Sequence, residues 1–125
     1  MKTLVLGAAI VDIIMKIPRL PKSGEDILCT ERKLTIGGCA YNVSNILRSF
    51  NVKHDLFVPV GCGIYADIIR RELNEDGYEI LINDLEMDNG YCLCLVEENG
   101  ERSFITVNGI EANHKKEWFH NLNMN

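Results

Sequence analysis

Gly37-Gly38-Cys39-Ala40-Tyr41-Asn42-Val43-Ser44 is the stretch that decides the fold, because two glycines run directly into a predicted helix. A helix that begins without side chains lets a ligand contact backbone N–H groups. The apolar residues that follow predict one buried helical stripe: Ala40, Val43, Ile46, Leu47 and Phe50. Asn42 lies off that stripe in the first turn. A tight turn with Asn42 as a local cap is the alternative interpretation.

The spacing around this stretch resembles the first signature of the ribokinase-like (PfkB) carbohydrate kinase family. That signature has paired small residues, a further small residue, an asparagine with a small or hydroxyl residue two positions on, and two later glycine positions. The matching residues in this chain are Gly37, Gly38, Ala40, Asn42, Ser44 and Gly61. Asn51 stands at the remaining glycine or serine position. It is expected at a turn, where asparagine tolerates the left-handed conformation.

The resemblance implies an α/β fold: a ribokinase-like, Rossmann-type sheet with flanking helices and a small β-sheet lid. Kinases of this family are roughly twice as long as this chain of 125 residues, or longer. Residues 1–125 are therefore expected to form the N-terminal, sugar-binding part of such a kinase, a truncated version of the fold. Lid strands are expected near residues 12–16, 27–35 and 90–108.

The activity that the resemblance implies is transfer of a phosphoryl group from ATP to a primary hydroxyl of a sugar or nucleoside. The family's second signature is a Gly-Ala-Gly-Asp type turn that carries the catalytic base and an anion hole. No Gly-x-Gly-Asp occurs in this sequence. We therefore expect no catalytic residue, no cofactor-binding residue and no metal site in this chain. ATP and Mg²⁺ are expected to be held by the other half of the enzyme, and this chain alone is expected to be inactive.

Substrate-binding residues are assigned from the resemblance. Asp12, at the end of the first extended segment, is expected to accept hydrogen bonds from sugar hydroxyls. Gly37 and Gly38 are expected to approach the sugar ring, and Asn42 to donate and accept at another hydroxyl. The remaining expected contacts come from the lid hairpin: Cys92, Cys94 and Thr106. Cys39 occupies the position where ribokinases carry lysine. The identity of the sugar is therefore left open.

Patterning predicts alternating strands and helices. Continuous apolar segments predict core strands over residues 3–8, 56–60 and 80–82, an extended segment over 10–16 and a strand over 27–35. Helices are predicted up to Phe50 and over 65–75, the second stopped by Gly77. Asn113 is a predicted cap for a short helix that contains Trp118 and Phe119.

Residues 90–108 predict a β-hairpin, because the connecting Glu97-Glu98-Asn99-Gly100-Glu101 is too short for a helix. Two registers are open. A three-residue loop over 98–100 places Cys92 and Cys94 on one face with Phe104 and Thr106. A two-residue Asn99-Gly100 turn groups them with Ile105 and Val107 instead. Apolar residues on the face opposite the cysteines predict that the lid also forms a homodimer: Tyr91, Leu93 and Leu95.

Composition excludes several classes of protein. Hydrophobic residues make up 46% and charged residues 25% of the chain, values typical of a globular protein. The net charge of -5 without a basic cluster argues against nucleic acid as a partner. No apolar run reaches the roughly 18 to 20 residues that span a bilayer, and Asp12 interrupts the apolar N-terminal segment. Five cysteines, without metal-ligand spacing, predict reduced thiols and a cytoplasmic protein.

Two other functional classes remain. One is a non-catalytic sugar-binding or dimerisation module derived from a truncated paralogue. The other is a dinucleotide-binding oxidoreductase, suggested by the first strand and Gly7. The second class is disfavoured because Gly7-Ala8-Ala9-Ile10 lacks the Gly-x-Gly-x-x-Gly turn that admits a pyrophosphate.

Overall fold

The structure is a computed structural model that describes residues 3–120 and 122. It contains eight strands: β1 Leu4–Leu6, β2 Ile10–Ile17, β3 Glu31–Gly37, β4 Asp55–Phe57, β5 Pro59–Val60, β6 Ile82–Asn83, β7 Tyr91–Glu97 and β8 Arg102–Val107. Two α-helices, α1 Cys39–Ser49 and α2 Ile64–Glu75, lie between them. Two short 3₁₀ turns, Ile110–Ala112 and Lys116–Phe119, follow β8. The predicted α/β class is confirmed.

The body of the molecule combines both α-helices with two short parallel strand pairs, β1 with β4 and β5 with β6. Its core consists of buried side chains from these elements and from the start of β2: Ala9, Val11, Ala40, Tyr41, Leu56, Val58, Val60, Ala66, Ile69 and Leu73. The predicted strand over 3–8 shortens to three residues, and the one over 56–60 is split into β4 and β5. The predicted strand over 80–82 is displaced to β6.

The remaining four strands form a separate sheet in the order β3-β2-β7-β8. In it β2 pairs antiparallel with β3 and parallel with β7, and β7 pairs antiparallel with β8. One face of this four-stranded sheet rests on α2, where Val11 is fully buried and Tyr91 stacks on Tyr65 with ring centroids 4.4 Å apart. The other face carries Asp12, because side chains alternate along a strand.

The hairpin adopts the three-residue loop. Cys92 pairs with Thr106 and Cys94 with Phe104. The Glu97 N–H donates to the Glu101 carbonyl at 2.9 Å, which leaves residues 98–100 as the loop. Gly100 takes the left-handed conformation, with φ of 87°. Of the two registers left open by the sequence, the structure therefore selects the one that keeps both cysteines on the face of Phe104 and Thr106.

The strand predicted over 27–35 begins only at Glu31 and continues to Gly37. The preceding residues form a loop in which Arg19 Nη2 and Glu25 Oε2 form an ion pair at 2.7 Å. Thr30 donates from both its backbone N–H and its hydroxyl to the Lys16 carbonyl, at 2.8 and 3.0 Å. Regular pairing with β2 starts only after this contact, because the chain must first close the turn.

The predicted buried stripe of α1 is confirmed only in part: Ala40 is buried and Leu47 is half-buried, but Val43 is 47% exposed. The buried residues of this helix are Ala40, Tyr41 and Ser44, whereas Ile46 and Phe50 are 59% and 75% exposed. Ala40 packs so closely on β1 that a Cβ added to Gly7 would lie 2.8 Å from the Ala40 Cβ. The Tyr41 hydroxyl is satisfied by the Asp76 carboxylate at 3.0 Å. The close contact of Ala40 with Gly7 and the hydrogen bond from Tyr41 to Asp76 therefore place these two side chains in the core.

The predicted Asn113 cap is also not formed. The 3₁₀ turn that contains Trp118 and Phe119 begins at Lys116, and Lys115 precedes it without a side-chain cap. This turn is stabilised by contacts with Asp84, a residue outside it. The Asp84 carboxylate accepts from Trp118 Nε1 at 3.0 Å and from Lys115 Nζ at 2.8 Å.

Candidate functional site

The glycine pair is required by close contacts on both of its sides. Gly38 precedes α1 with φ of 99°, and a Cβ there would collide with the Ala8 carbonyl oxygen. A Cβ on Gly37 would collide with the carboxylate of Asp12. At Gly38 only glycine adopts this φ without strain, whereas at Gly37 the close contact with Asp12 excludes a side chain. The turn and the carboxylate are therefore packed directly against each other.

The carboxylate of Asp12 is a hydrogen-bond acceptor with no donor among the described residues. Asp12 lies within β2, half-buried, and no hydrogen bond from residues 3–120 or 122 reaches its carboxylate. Burial raises the pKa of Asp12 above the usual value of an aspartate. A partly desolvated carboxylate without donors is suited to accept hydrogen bonds from a ligand.

Strand pairing places most of the predicted site residues on one face. Asp12 pairs with Thr35 on one side and with Cys92 on the other, and Cys92 pairs in turn with Thr106. The Thr106 hydroxyl lies 3.6 Å from Cys92 Sγ, within hydrogen-bond distance. Cys94 lies on the same face, two residues further along β7. Both cysteines are buried, at 8% and 6% exposure, so they form the floor of this face.

Asn42 lies on α1, four residues after Gly38. Its backbone N–H donates to the Gly38 carbonyl at 3.0 Å, and its side chain is exposed. No hydrogen bond within the described chain joins its amide to Asp12. The structure therefore brings Asp12, Gly37, Cys92 and Thr106 together, and leaves Asn42 free at the entrance of the helix.

Three residues that sequence reasoning did not single out connect the site to the body. Asn89 is 3% exposed; its amide donates to the carbonyls of Ala9 at 3.2 Å and Pro59 at 3.0 Å. Its oxygen accepts from the Gly61 N–H at 2.8 Å. Asp88 accepts from the Ala66 N–H at 2.7 Å and so caps α2. The signature glycine Gly61 and the chain before β2 are thus held by one buried amide.

Glu111 is the third such residue. It is 7% exposed, and its carboxylate accepts from the Gly90 N–H at 2.9 Å and from the Gly109 N–H at 3.0 Å. Gly90 immediately precedes β7 and Gly109 follows β8 by two residues. One buried carboxylate therefore joins both ends of the hairpin where it leaves the body. The only sequence signal is an acidic residue close to a glycine, which is common in turns.

The signature positions fit this geometry. Asn51, which departs from the glycine or serine of the signature, has φ of 56°, the left-handed conformation expected of it. A Cβ on Gly61 would collide with the Met87 carbonyl oxygen. A family model described as pfkB family carbohydrate kinase matches residues 2–125. The chain belongs to the PfkB carbohydrate kinase family.

Individual PfkB relatives are consistent with this membership. The chain is 36% identical over 119 residues to the uncharacterized sugar kinase YegV of Escherichia coli strain K12, a match that covers 95% of this chain. It spans only 37% of YegV. The structure also matches a nucleoside kinase of Methanocaldococcus jannaschii, described as an archaeal member of the ribokinase family. That match has a TM-score of 0.78 and 20% identity, and covers 93% of this chain and 39% of that protein.

A second solved structure, Arabidopsis thaliana ribokinase complexed with ribose and ATP, matches with a TM-score of 0.70 and 22% identity. The match covers 86% of this chain and 36% of that ribokinase. These matches show a ribokinase-like fold, present here in part, as the sequence predicts. Among residues 3–120 and 122 no helix is long and apolar enough to cross a membrane. Nor do three His, Cys, Asp or Glu side chains of that part cluster in a way suited to a metal ion.

Proposed function

We propose that this chain is the sugar-binding, N-terminal part of an ATP-dependent kinase that phosphorylates a primary hydroxyl of a sugar or nucleoside. The observation that carries the proposal is the unused Asp12 carboxylate packed against the Gly37–Gly38 turn. The match to a curated relative named as a sugar kinase supports it. The complete protein that contains this part is called the complete kinase.

The proposed roles follow from the chemistry of each group. Asp12 accepts hydrogen bonds from sugar hydroxyls, and the side-chain-free turn lets the ring approach the backbone. Asn42, exposed beside the turn, is able to donate and accept at a second hydroxyl. Cys92, Cys94 and Thr106 line the face of the four-stranded sheet that covers the sugar as a lid. Positioning of this kind contributes much of the rate of phosphoryl transfer.

ATP, Mg²⁺ and the catalytic base are proposed to belong to the remainder of the complete kinase. When bound, ATP supplies the phosphoryl group and Mg²⁺ neutralises its charge. At the N-terminus of α2 the Asp88 carboxylate already accepts from the Tyr65 and Ala66 N–H groups, which leaves those donors unavailable to a phosphate. All five cysteines are free thiols, which supports the proposal that the complete kinase works in the reducing cytoplasm.

We expect no ATP-dependent phosphorylation of any sugar or nucleoside by the 125-residue chain alone. A general base and an anion hole each typically contribute several kcal/mol of transition-state stabilisation, and both are proposed to lie elsewhere. ADP release is measured with the chain and with the complete kinase against a panel of sugars and nucleosides. Turnover by the chain above background contradicts this division, and inactivity of the complete kinase with the whole panel contradicts the proposed function.

We also propose a homodimer formed through the four-stranded sheet. Part of its face opposite Asp12 rests on α2, where Tyr91 is covered by Tyr65; the rest of that face exposes apolar side chains: Leu34 at 45%, Ile105 at 54% and Val107 at 41%. Such a face is stabilised when a second copy covers it.

We expect a dimeric mass in light scattering at high concentration and a monomeric mass for Ile105→Glu, which places a charge in that face. Glu98→Lys, in the exposed hairpin loop, is the matched control and is expected to stay dimeric. A monomer for the unmodified protein, or a dimer for Ile105→Glu, contradicts this arrangement.

A further inference from the structure

We propose, building on the proposed function, that Asn89 is a positioning residue whose buried amide fixes the place of Asp12 relative to the rest of the sugar site. The proposed site is divided between two parts of the molecule. Asp12 lies on β2 of the four-stranded sheet, whereas Gly38 and Asn42 lie at the start of α1 in the body. A sugar contacts both parts at once only if the sheet is held at a fixed place on the body.

Asn89 lies where the chain passes from the body into the four-stranded sheet. It immediately precedes Gly90 and β7, and it is 3% exposed. Its Nδ2 donates to the carbonyl of Ala9, the residue before β2, at 3.2 Å. The same nitrogen donates to the carbonyl of Pro59 in β5 at 3.0 Å. One NH₂ group therefore joins the start of the strand that carries Asp12 to the body.

The contacts of this amide match its chemistry atom by atom. Nδ2 carries two hydrogens and contacts two carbonyl oxygens, while Oδ1 accepts from the Gly61 N–H at 2.8 Å. A carboxylate of the same size would accept from Gly61 but has no hydrogen to donate to either carbonyl. Buried carbonyl groups left without a donor are unfavourable. The position therefore requires a group that both donates and accepts.

A short stretch of backbone connects this amide to Asp12. Ala9 precedes Asp12 by three residues and is fully buried. Between them, the Val11 N–H donates at 3.3 Å to the carbonyl of Gly90, the residue after Asn89. An extended strand has little slack, because its residues are already near their full length. A shift of the Ala9 carbonyl would therefore move the Asp12 carboxylate.

The experiment measures kcat and KM of the complete kinase for the best sugar or nucleoside of the panel and for ATP. Asn89→Asp keeps the acceptor for Gly61 but loses both donors. It is expected to raise the KM for the sugar or nucleoside and to lower the corresponding kcat/KM about ten- to a hundredfold, as misplacement of a binding group does. The KM for ATP should change less than about twofold. Asn89→Ala, which leaves space for water, is a second variant with the same expected direction.

A double-mutant cycle distinguishes positioning from a general loss of stability. On an Asp12→Asn background, Asn89→Asp is expected to cost at least about fivefold less in kcat/KM than in the unmodified kinase, because the hydrogen bond that it positions is already weakened. The matched control is Tyr78→Phe, which removes a half-buried hydroxyl 3.2 Å from the Ser44 carbonyl and 2.8 Å from His54 Nε2. This control is expected to lower the melting temperature and to leave the KM for the sugar or nucleoside unchanged.

Four results overturn the inference and leave the proposed function intact. These are unchanged kinetics of the Asn89 variants, an equal rise in both KM values, the same rise in Tyr78→Phe, and a full additional loss on the Asp12→Asn background. Failure of both Asn89 variants to fold also overturns it, because the amide then serves folding alone. Absence of activity of the unmodified complete kinase with the whole panel contradicts the proposed function itself.

Discussion

Replacement of Glu111 by alanine is expected to lower the free energy of unfolding by roughly 2 to 6 kcal/mol. The carboxylate of Glu111 is the acceptor for two backbone N–H groups, those of Gly90 and Gly109. A buried donor left without a partner costs about 1 to 3 kcal/mol, and alanine leaves two of them. Urea unfolding of the chain, followed by circular dichroism, measures the change in midpoint and slope.

Two further variants sharpen this prediction. Glu111→Gln keeps one carbonyl oxygen but brings an NH₂ group towards the second N–H, so an intermediate loss is expected. Glu98→Ala removes an exposed glutamate from the hairpin loop and should change stability by less than about 0.5 kcal/mol. A Glu111→Ala protein as stable as the original would mean that water replaces the carboxylate at both glycines.

Asp12→Asn in the complete kinase is expected to lower kcat/KM for the sugar or nucleoside by about one to two orders of magnitude. Asparagine keeps the size but loses a charge-assisted hydrogen bond, worth roughly 1.5 to 3 kcal/mol. The KM for ATP should change little. Asn42→Ala is expected to behave similarly, whereas Cys39→Ala should have a much smaller effect because its thiol is not needed for a hydrogen bond.

The same variant tests the ionisation of Asp12. Burial raises its pKa, so protonation begins at a higher pH than for an ordinary aspartate. Substrate affinity is therefore expected to fall as the pH drops through that raised pKa, and Asp12→Asn should remove this dependence. Equal weakening of sugar and ATP binding, or a lowered melting temperature without a kinetic change, would show that Asp12 supports the turn rather than the substrate.

Local features of this chain were predictable because neighbouring residues determine them. The glycine turn before α1, the hairpin between β7 and β8, and the left-handed Asn51 all follow from residue types at fixed short spacings. The sequence left two hairpin registers open, since both satisfy strand alternation. The structure resolves them through the three-residue loop that ends at Gly100.

Features that depend on distant contacts were not predictable. The apolar pattern of α1 predicted the burial of Ala40 correctly but missed Tyr41 and Ser44, because Asp76, from outside the helix, satisfies the buried Tyr41 hydroxyl. The roles of Asn89 and Glu111 depend on backbone groups from other segments, such as those of Ala9 and Gly90. Neither spacing nor composition indicates that a particular polar residue will be buried among such groups.

The length of the three-residue hairpin loop determines which side chains of β8 lie on the same face as Asp12. Exposed loop tips usually tolerate insertions and deletions. Here the loss of one residue from 98–100 would shift β8 against β7 and turn Ile105 and Val107 towards the cysteines. Phe104 and Thr106 would then leave the face of Asp12. Descendants of this gene should therefore accept substitutions in the loop far more readily than changes in its length.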